Sequence, residues 1–190
     1  MEFDPKQYLM NESSEDDARI KAYAYHEAGH AIAHYHFEMT LVLVSINEPK
    51  KGRGGVTQAL GQDPFVLQQK GVFWENTPER TRFLSDRVIT LLAGEVAQEK
   101  FCPGSVEPHH SRFDQFEAKH LIAEIVPIPL KGEREGMLEK LFQETRELID
   151  EPSYSAAVEA LAQALIEHKE LSGKQATGII RDAIRKAGSN

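Results

Sequence analysis

Two histidines and a glutamate lie close enough in this chain to share one reaction. His26, Glu27 and His30 fall within the run Ala24-Tyr25-His26-Glu27-Ala28-Gly29-His30-Ala31. On a helix, positions four apart differ by only about 40° around the axis and by roughly one turn along it. Both imidazoles then leave the same face and can grip one zinc ion. Glu27 sits about 100° from His26, beside such a metal rather than on it. There it can serve as a general base, taking a proton from an attacking water and returning it to a leaving amine. Zinc supplies the complementary half, bringing the pKa of water down toward about 7 and polarising a scissile carbonyl.

The same three residue types also occur on ordinary solvated helix faces, so the rest of the helix matters. With His26 at 0°, residues Ala24, Ala28, Ala31, Ile32 and Tyr35 fall between about 140° and 240°, an apolar stripe opposite the ligands. That gives the helix a core-facing back and a chemical front. Gly29 costs about 1 kcal/mol relative to alanine in a helix interior, which points to close approach by another backbone or by substrate. His34 continues the four-residue spacing but lies about 6 Å further along the axis, so a surface position is expected, with pocket lining as the alternative. His36 points elsewhere and reads as structural or solvated.

Two imidazoles leave a catalytic zinc short of one protein ligand, since such sites use three and keep a fourth position open. His109, His110 and Asp114 are the candidates further along. Histidine is the commoner zinc ligand, but both histidines also suit a solvated loop, and Asp114 also suits the positive end of a helix. Residue chemistry alone favours His109 or His110.

These groups must be held by a frame. Ser13 or Ser14, followed by Glu15, Asp16 and Asp17, reads as the start of the helix that carries His26, which should run to about Phe37. Thr40 to Asn47 is rich in β-branched residues and reads as a strand. Residues 49–55 carry glycine and proline and read as a turn, and Val56 to Leu60 returns as the second strand of a hairpin. Thr77 and Pro78 open a second long helix ending near Phe101. Ser111 can cap a third helix reaching about Val126, stopped by Pro127 and Pro129. Helices near 133–149, 153–169 and 173–187 complete the chain.

Several of these segments resemble one family in the same order. Ala24 to Ala31 is similar to the active-site helix of the FtsH family, the membrane-anchored ATP-dependent zinc proteases. Arg53-Gly54-Gly55-Val56-Thr57-Gln58 resembles that family's glycine-valine-threonine strand. Leu91-Leu92-Ala93-Gly94-Glu95-Val96-Ala97-Gln98-Glu99 resembles its leucine-glycine-glycine helix, with Ala93 and Glu95 as departures. The resemblance spans residues 18–187, the peptidase domain alone. It implies an aspartate as third ligand, which falls on Asp114, with Glu27 as the base. Phe113 departs from the family's asparagine, and Glu107-Pro108-His109-His110 replaces its threonine-glycine loop. The phosphate loop of the ATPase is missing: Gly52-Arg53-Gly54-Gly55 lacks the lysine-serine or lysine-threonine ending, so no ATP binding is expected.

Composition narrows the partners. The 190 residues carry a net charge of -8, which repels nucleic-acid phosphates and anionic membrane surfaces. Apolar runs such as Leu41 to Val44 are far below the roughly 20 residues of a membrane span, and the acidic N-terminus does not read as a signal peptide. A single cysteine, Cys102, allows no internal disulfide and makes the cytoplasm the default compartment. The expected fold is mainly α (α+β): a zincin-like helical peptidase domain with a small β-hairpin or sheet beside the His26–His30 helix and a C-terminal helical bundle. Residues 1–13 are expected to be a flexible N-terminus and 14–190 one domain, its active-site part 14–126 and its helical part 127–190. The expected function is zinc-dependent endopeptidase action on unfolded or flexible polypeptide, ATP-independent by itself. Glu27 would be the base and His26, His30 and Asp114 the ligands. Substrate would pair through main-chain hydrogen bonds along Gly54, Gly55, Val56 and Thr57. Glu95 and Glu117 could orient ligands, though salt bridges or solvation suit them better. The rival readings are a catalytically degenerate binding or regulatory module and a protease dedicated to one partner. Monomer and dimer both remain open.

Overall fold

Helix caps set most of the architecture. The computed structural model describes residues 5–47, 55–60, 77–106, 112–128, 130 and 132–189. Helix α1 (Pro5–His36) leads into strands β1 (Thr40–Ser45) and β2 (Val56–Leu60), then α2 (Pro78–Phe101) and α3 (Arg112–Ile125). Helices α4 (Glu133–Asp150) and α5 (Pro152–His168) follow, then strand β3 (Glu170–Ser172) and α6 (Gly173–Ala187). The described residues are mainly helical with one small antiparallel sheet, as the sequence suggests. Thr77 caps α2, its hydroxyl accepting from the Arg80 amide at 3.2 Å, with Pro78 in the first turn. The expected turn at 49–55, apart from Gly55, lies outside the described residues, as do Ser111 and Pro129.

One expectation is corrected. Helix α1 begins at Pro5, not at Ser13 or Ser14. Proline suits a first helical turn, and no glycine or further proline follows before Gly29. Serine costs less than about 0.7 kcal/mol in a helix interior, too little to stop one. The expected small sheet is present, and the hairpin of β1 and β2 gains a third strand in the order β2-β1-β3. Lys169 ends α5 in the left-handed region (φ 63°) and turns the chain back. Ser172 then opens α6 with a capping box closed by Gln175. The three residues of β3, the last of them the Ser172 cap itself, pair with β1, Leu43 opposite Ser172, Val44 opposite Leu171 and Ser45 opposite Glu170. Three residues are too few for their alternation to mark a strand; it forms because two helix ends deliver it to β1.

On the other side of β1, β2 pairs antiparallel, Val44 opposite Thr57 and Ser45 opposite Val56, with an irregularity between Leu41 and Leu43. Strand β1 is central and drives Leu41 and Val44 into the core. Helix α2 lies between two apolar clusters. Ala93, Val96 and Ala97 join the larger one, with α1, the sheet, α5 and α6. Val88, Ile89 and Leu92 join a smaller one with Ala118 and Ile122 of α3 and Leu141 of α4. The axis of α2 comes very close to α1: a Cβ on Gly29 would fall on the Ala93 carbonyl and within 2.7 Å of the Ala97 methyl. Backbone approach therefore accounts for glycine in mid-helix. No helix among the described residues is long and apolar enough to cross a membrane.

Candidate metal centre

The stripe expected on α1 is there, with Ala24, Ala28, Ala31 and Ile32 fully buried. The opposite face is covered too, so His26, Glu27 and His30 are also buried. Helix α2 covers the histidines and β2 covers Glu27. Helices α1 and α2 run antiparallel at this crossing, and both present residues at four-residue intervals. His26 and His30 on α1 meet Thr90, Gly94 and Gln98 on α2.

Hydrogen bonds fix the orientation of both imidazoles. His30 Nδ1 lies 2.8 Å from the Thr90 carbonyl oxygen, which can only accept, so Nδ1 carries the proton. His26 Nδ1 lies 3.1 Å from Gln98 Oε1. The Gln98 amide is oriented by its other end, where Nε2 donates to the Ser105 carbonyl at 2.9 Å and lies 3.2 Å from the Ser105 hydroxyl. Its oxygen must therefore face His26, which donates from Nδ1. Both Nε2 atoms are left with lone pairs, and they point at each other across 3.0 Å. Such support from the far ring nitrogen is what fixes the tautomer of a metal-binding histidine.

Asp114 completes the group. Its Oδ2 lies 3.2 Å from His26 Nε2 and 3.5 Å from His30 Nε2. Helix α3 is tied to α2 at both ends, by Gln115 donating to Glu95 at 2.7 Å and by Arg80 paired with Glu124 at 2.9 Å. Glu95 thus holds the helix that carries Asp114 rather than orienting a ligand directly. Glu117 is not part of the group. His109, His110 and Gly54 lie outside the described residues.

Three electron-pair donors at 3.0, 3.2 and 3.5 Å from one another call for a cation between them. Ligand atoms about 2.0–2.1 Å from a small tetrahedral ion lie about 3.3 Å apart, so the spacing fits. Gly94 fits as well. A Cβ there would come within 2.5 Å of His30 Nε2 and 2.7 Å of His26 Nε2, filling the space on which the donors converge. His26, His30 and Asp114 are therefore a group that could hold a metal ion. Asp114 is the most open of the three, its side chain 19% exposed against 9% and 11% for the histidines, so access is from its side.

Without a metal, one proton does the cation's work. Burial alone would lower the pKa of His30. The hydrogen bond and charge of Asp114, the charge of Glu27 and the Thr90 carbonyl outweigh it and raise it from 6.5 to about 9. Burial would raise Asp114, yet the two imidazoles hold its carboxyl below the ordinary carboxylate range. The raised His30 value stabilises the metal-free fold fully below pH 6.5, and that contribution is lost as pH rises through about 9. A metal must displace the same proton. Its affinity is expected to rise about tenfold per pH unit across neutrality and to level off near pH 9, with about one proton released per ion at pH 7. Titration calorimetry in buffers of different ionisation enthalpy reads that proton directly; zero release at pH 7 would show that His30 is not protonated in the metal-free protein.

Of the neighbouring residues, Thr57 donates its hydroxyl to Glu27 Oε2 at 2.7 Å, with the Glu27 main-chain oxygen also in reach at 3.1 Å. Gly55 lies against the Glu27 side chain, while Val56 is exposed. His34 is half-buried rather than on the surface. Burial, with the charges of His30 and Arg87, lowers it to about 4, and its Nδ1 lies 3.0 Å from the Met39 sulfur. His36 is exposed and pairs with the Tyr154 hydroxyl at 3.0 Å, a structural contact. Sequence reasoning missed Thr90, Gly94, Gln98 and Ser105. The available signal was the interval of four joining Thr90, Gly94 and Gln98, which matches that of the two histidines. No protein-family model matches the chain, and no curated protein matches it significantly.

Proposed function

We propose that the chain is a zinc metallopeptidase of zincin-like fold, related to the FtsH peptidase domain, that hydrolyses flexible polypeptide. One observation carries this reading: two tautomer-fixed imidazoles and a carboxylate converge while a second buried carboxylate, Glu27, sits one residue from the first ligand. Two nitrogens and one oxygen are a donor set that suits zinc, and three protein ligands match catalytic rather than closed structural sites. His26, His30 and Asp114 would hold the ion. Bound there, it supplies Lewis acidity, polarising a peptide carbonyl and making water nucleophilic near neutral pH.

The chain's own residues do the rest. Glu27 accepts a proton from the attacking water as the new C–O bond forms. It then returns that proton to the amide nitrogen as the C–N bond breaks, leaving a carboxylate and an amine. Gln98 and Thr90 keep the imidazoles from rotating away. Strand β2 is an edge of the sheet, and its outer side meets no other strand among the described residues. An extended substrate can add there through main-chain hydrogen bonds, with Val56 and Leu60 exposed beside it.

The test is cleavage of an unstructured polypeptide by the purified protein, before and after chelation and after zinc is restored. Loss on chelation and return with zinc is the expected result. Tight zinc binding without turnover on any unfolded substrate would overturn the peptidase reading and leave a metal-holding binding module.

A further inference from the structure

Glu27 has two carboxylate oxygens, and the fold treats them differently. Oε2 accepts the Thr57 hydroxyl at 2.7 Å. Among the described residues, none donates a hydrogen bond to Oε1. That oxygen lies against Gly55, where a Cβ would come within 2.5 Å of Oε1, 2.6 Å of Cγ and 2.8 Å of Cδ. Thr57 and Gly55 stand two residues apart at the start of β2, and Thr57, facing inward, is held by its pairing with Val44 of β1.

We propose that Thr57 is a positioning residue that anchors Glu27 through Oε2 and leaves Oε1, in the space opened by Gly55, as the oxygen that takes and returns the proton. The inference rests on Glu27 being the base of the peptidase reaction above. A threonine hydroxyl has one proton to give. Of its two acceptors, the carboxylate is both nearer and charged, 2.7 Å against 3.1 Å for the main-chain carbonyl, so the proton goes to Oε2. With one oxygen anchored, the carboxylate cannot spin about its terminal bond, and the working lone pair keeps one direction. The same strand would also carry substrate, so a chain added along β2 braces the strand that aims the base.

Thr57→Val removes the hydroxyl at nearly constant shape. The expected result is a fall in kcat of about ten- to hundredfold, the scale of one hydrogen bond to a charged group, with KM and zinc affinity within about twofold of wild type. Thr57→Ser, which restores the donor, should recover kcat to within about threefold. Gly55→Ala should lower kcat as well while keeping zinc, because its methyl would occupy the Oε1 space. A Thr57→Val enzyme with unchanged kcat, or one whose KM rises in proportion to the loss, would overturn the proposal in favour of direct substrate contact. So would serine performing no better than valine.

A second measurement needs no activity. In a double-mutant cycle of Thr57→Val and Glu27→Ala on the metal-free protein, the combined Tm shift should fall short of the summed single shifts by about 2 °C or more. Additive shifts would overturn the clamp. Coupled shifts in a protein that binds zinc but cleaves nothing would sustain the clamp while the peptidase reading fails.

Discussion

Glu27→Gln will hold zinc as tightly as the wild type and hydrolyse peptides at least about a hundredfold more slowly, within the range that general-base catalysis contributes. The amide has nearly the shape of the carboxylate, and its oxygen can still accept the Thr57 hydroxyl that now bonds Oε2 at 2.7 Å. It cannot accept a proton from water at neutral pH. The ligands His26, His30 and Asp114 are untouched, so metal content separates this variant from any that fails by losing the ion. Kinetics on an unstructured substrate, paired with zinc quantification of the same sample, gives both readings. Wild-type turnover in the variant would remove Glu27 from the mechanism.

Asp114→Ala should lower zinc affinity by about a hundred- to a thousandfold. Four-ligand structural zinc sites gain roughly 10–16 kcal/mol in total, which puts one ligand at about 2.5–4 kcal/mol. The substitution also removes the main groups that keep His30 protonated, its hydrogen bond and charge. Burial then dominates at His30, and zinc no longer competes with a proton there at neutral pH. The pH dependence of binding should therefore flatten together with the loss of affinity. Competitive titration against a chromophoric chelator at several pH values measures both effects. His109→Ala and His110→Ala should bind zinc like the wild type; if they lose it while Asp114→Ala does not, the third ligand is misassigned.

What the residues determined alone is what lies within a few positions of itself along the chain. The interval of four between His26 and His30 places both rings on one face of any helix, and Glu27 follows at a fixed angle. Thr77-Pro78 and Ser172 open helices by hydrogen bonds to the next turn, so those ends can be read from residue type. The tertiary structure decided everything that depends on how two segments meet. Helix α3, clamped through Glu95–Gln115 and Arg80–Glu124, brings Asp114 to the imidazoles from 84 to 88 residues away in sequence. The antiparallel crossing of α1 and α2, close because Gly29 has no side chain, makes Thr90 and Gln98 the partners of the two rings and puts Gly94 beneath them. Strand β3 formed on three residues, too few to mark a strand by themselves, and the Thr57 hydroxyl found its partner in Glu27, 30 residues away in sequence. Helical geometry repeats with every turn and is encoded locally. Contacts between elements depend on packing across the whole core, which residue types constrain only together.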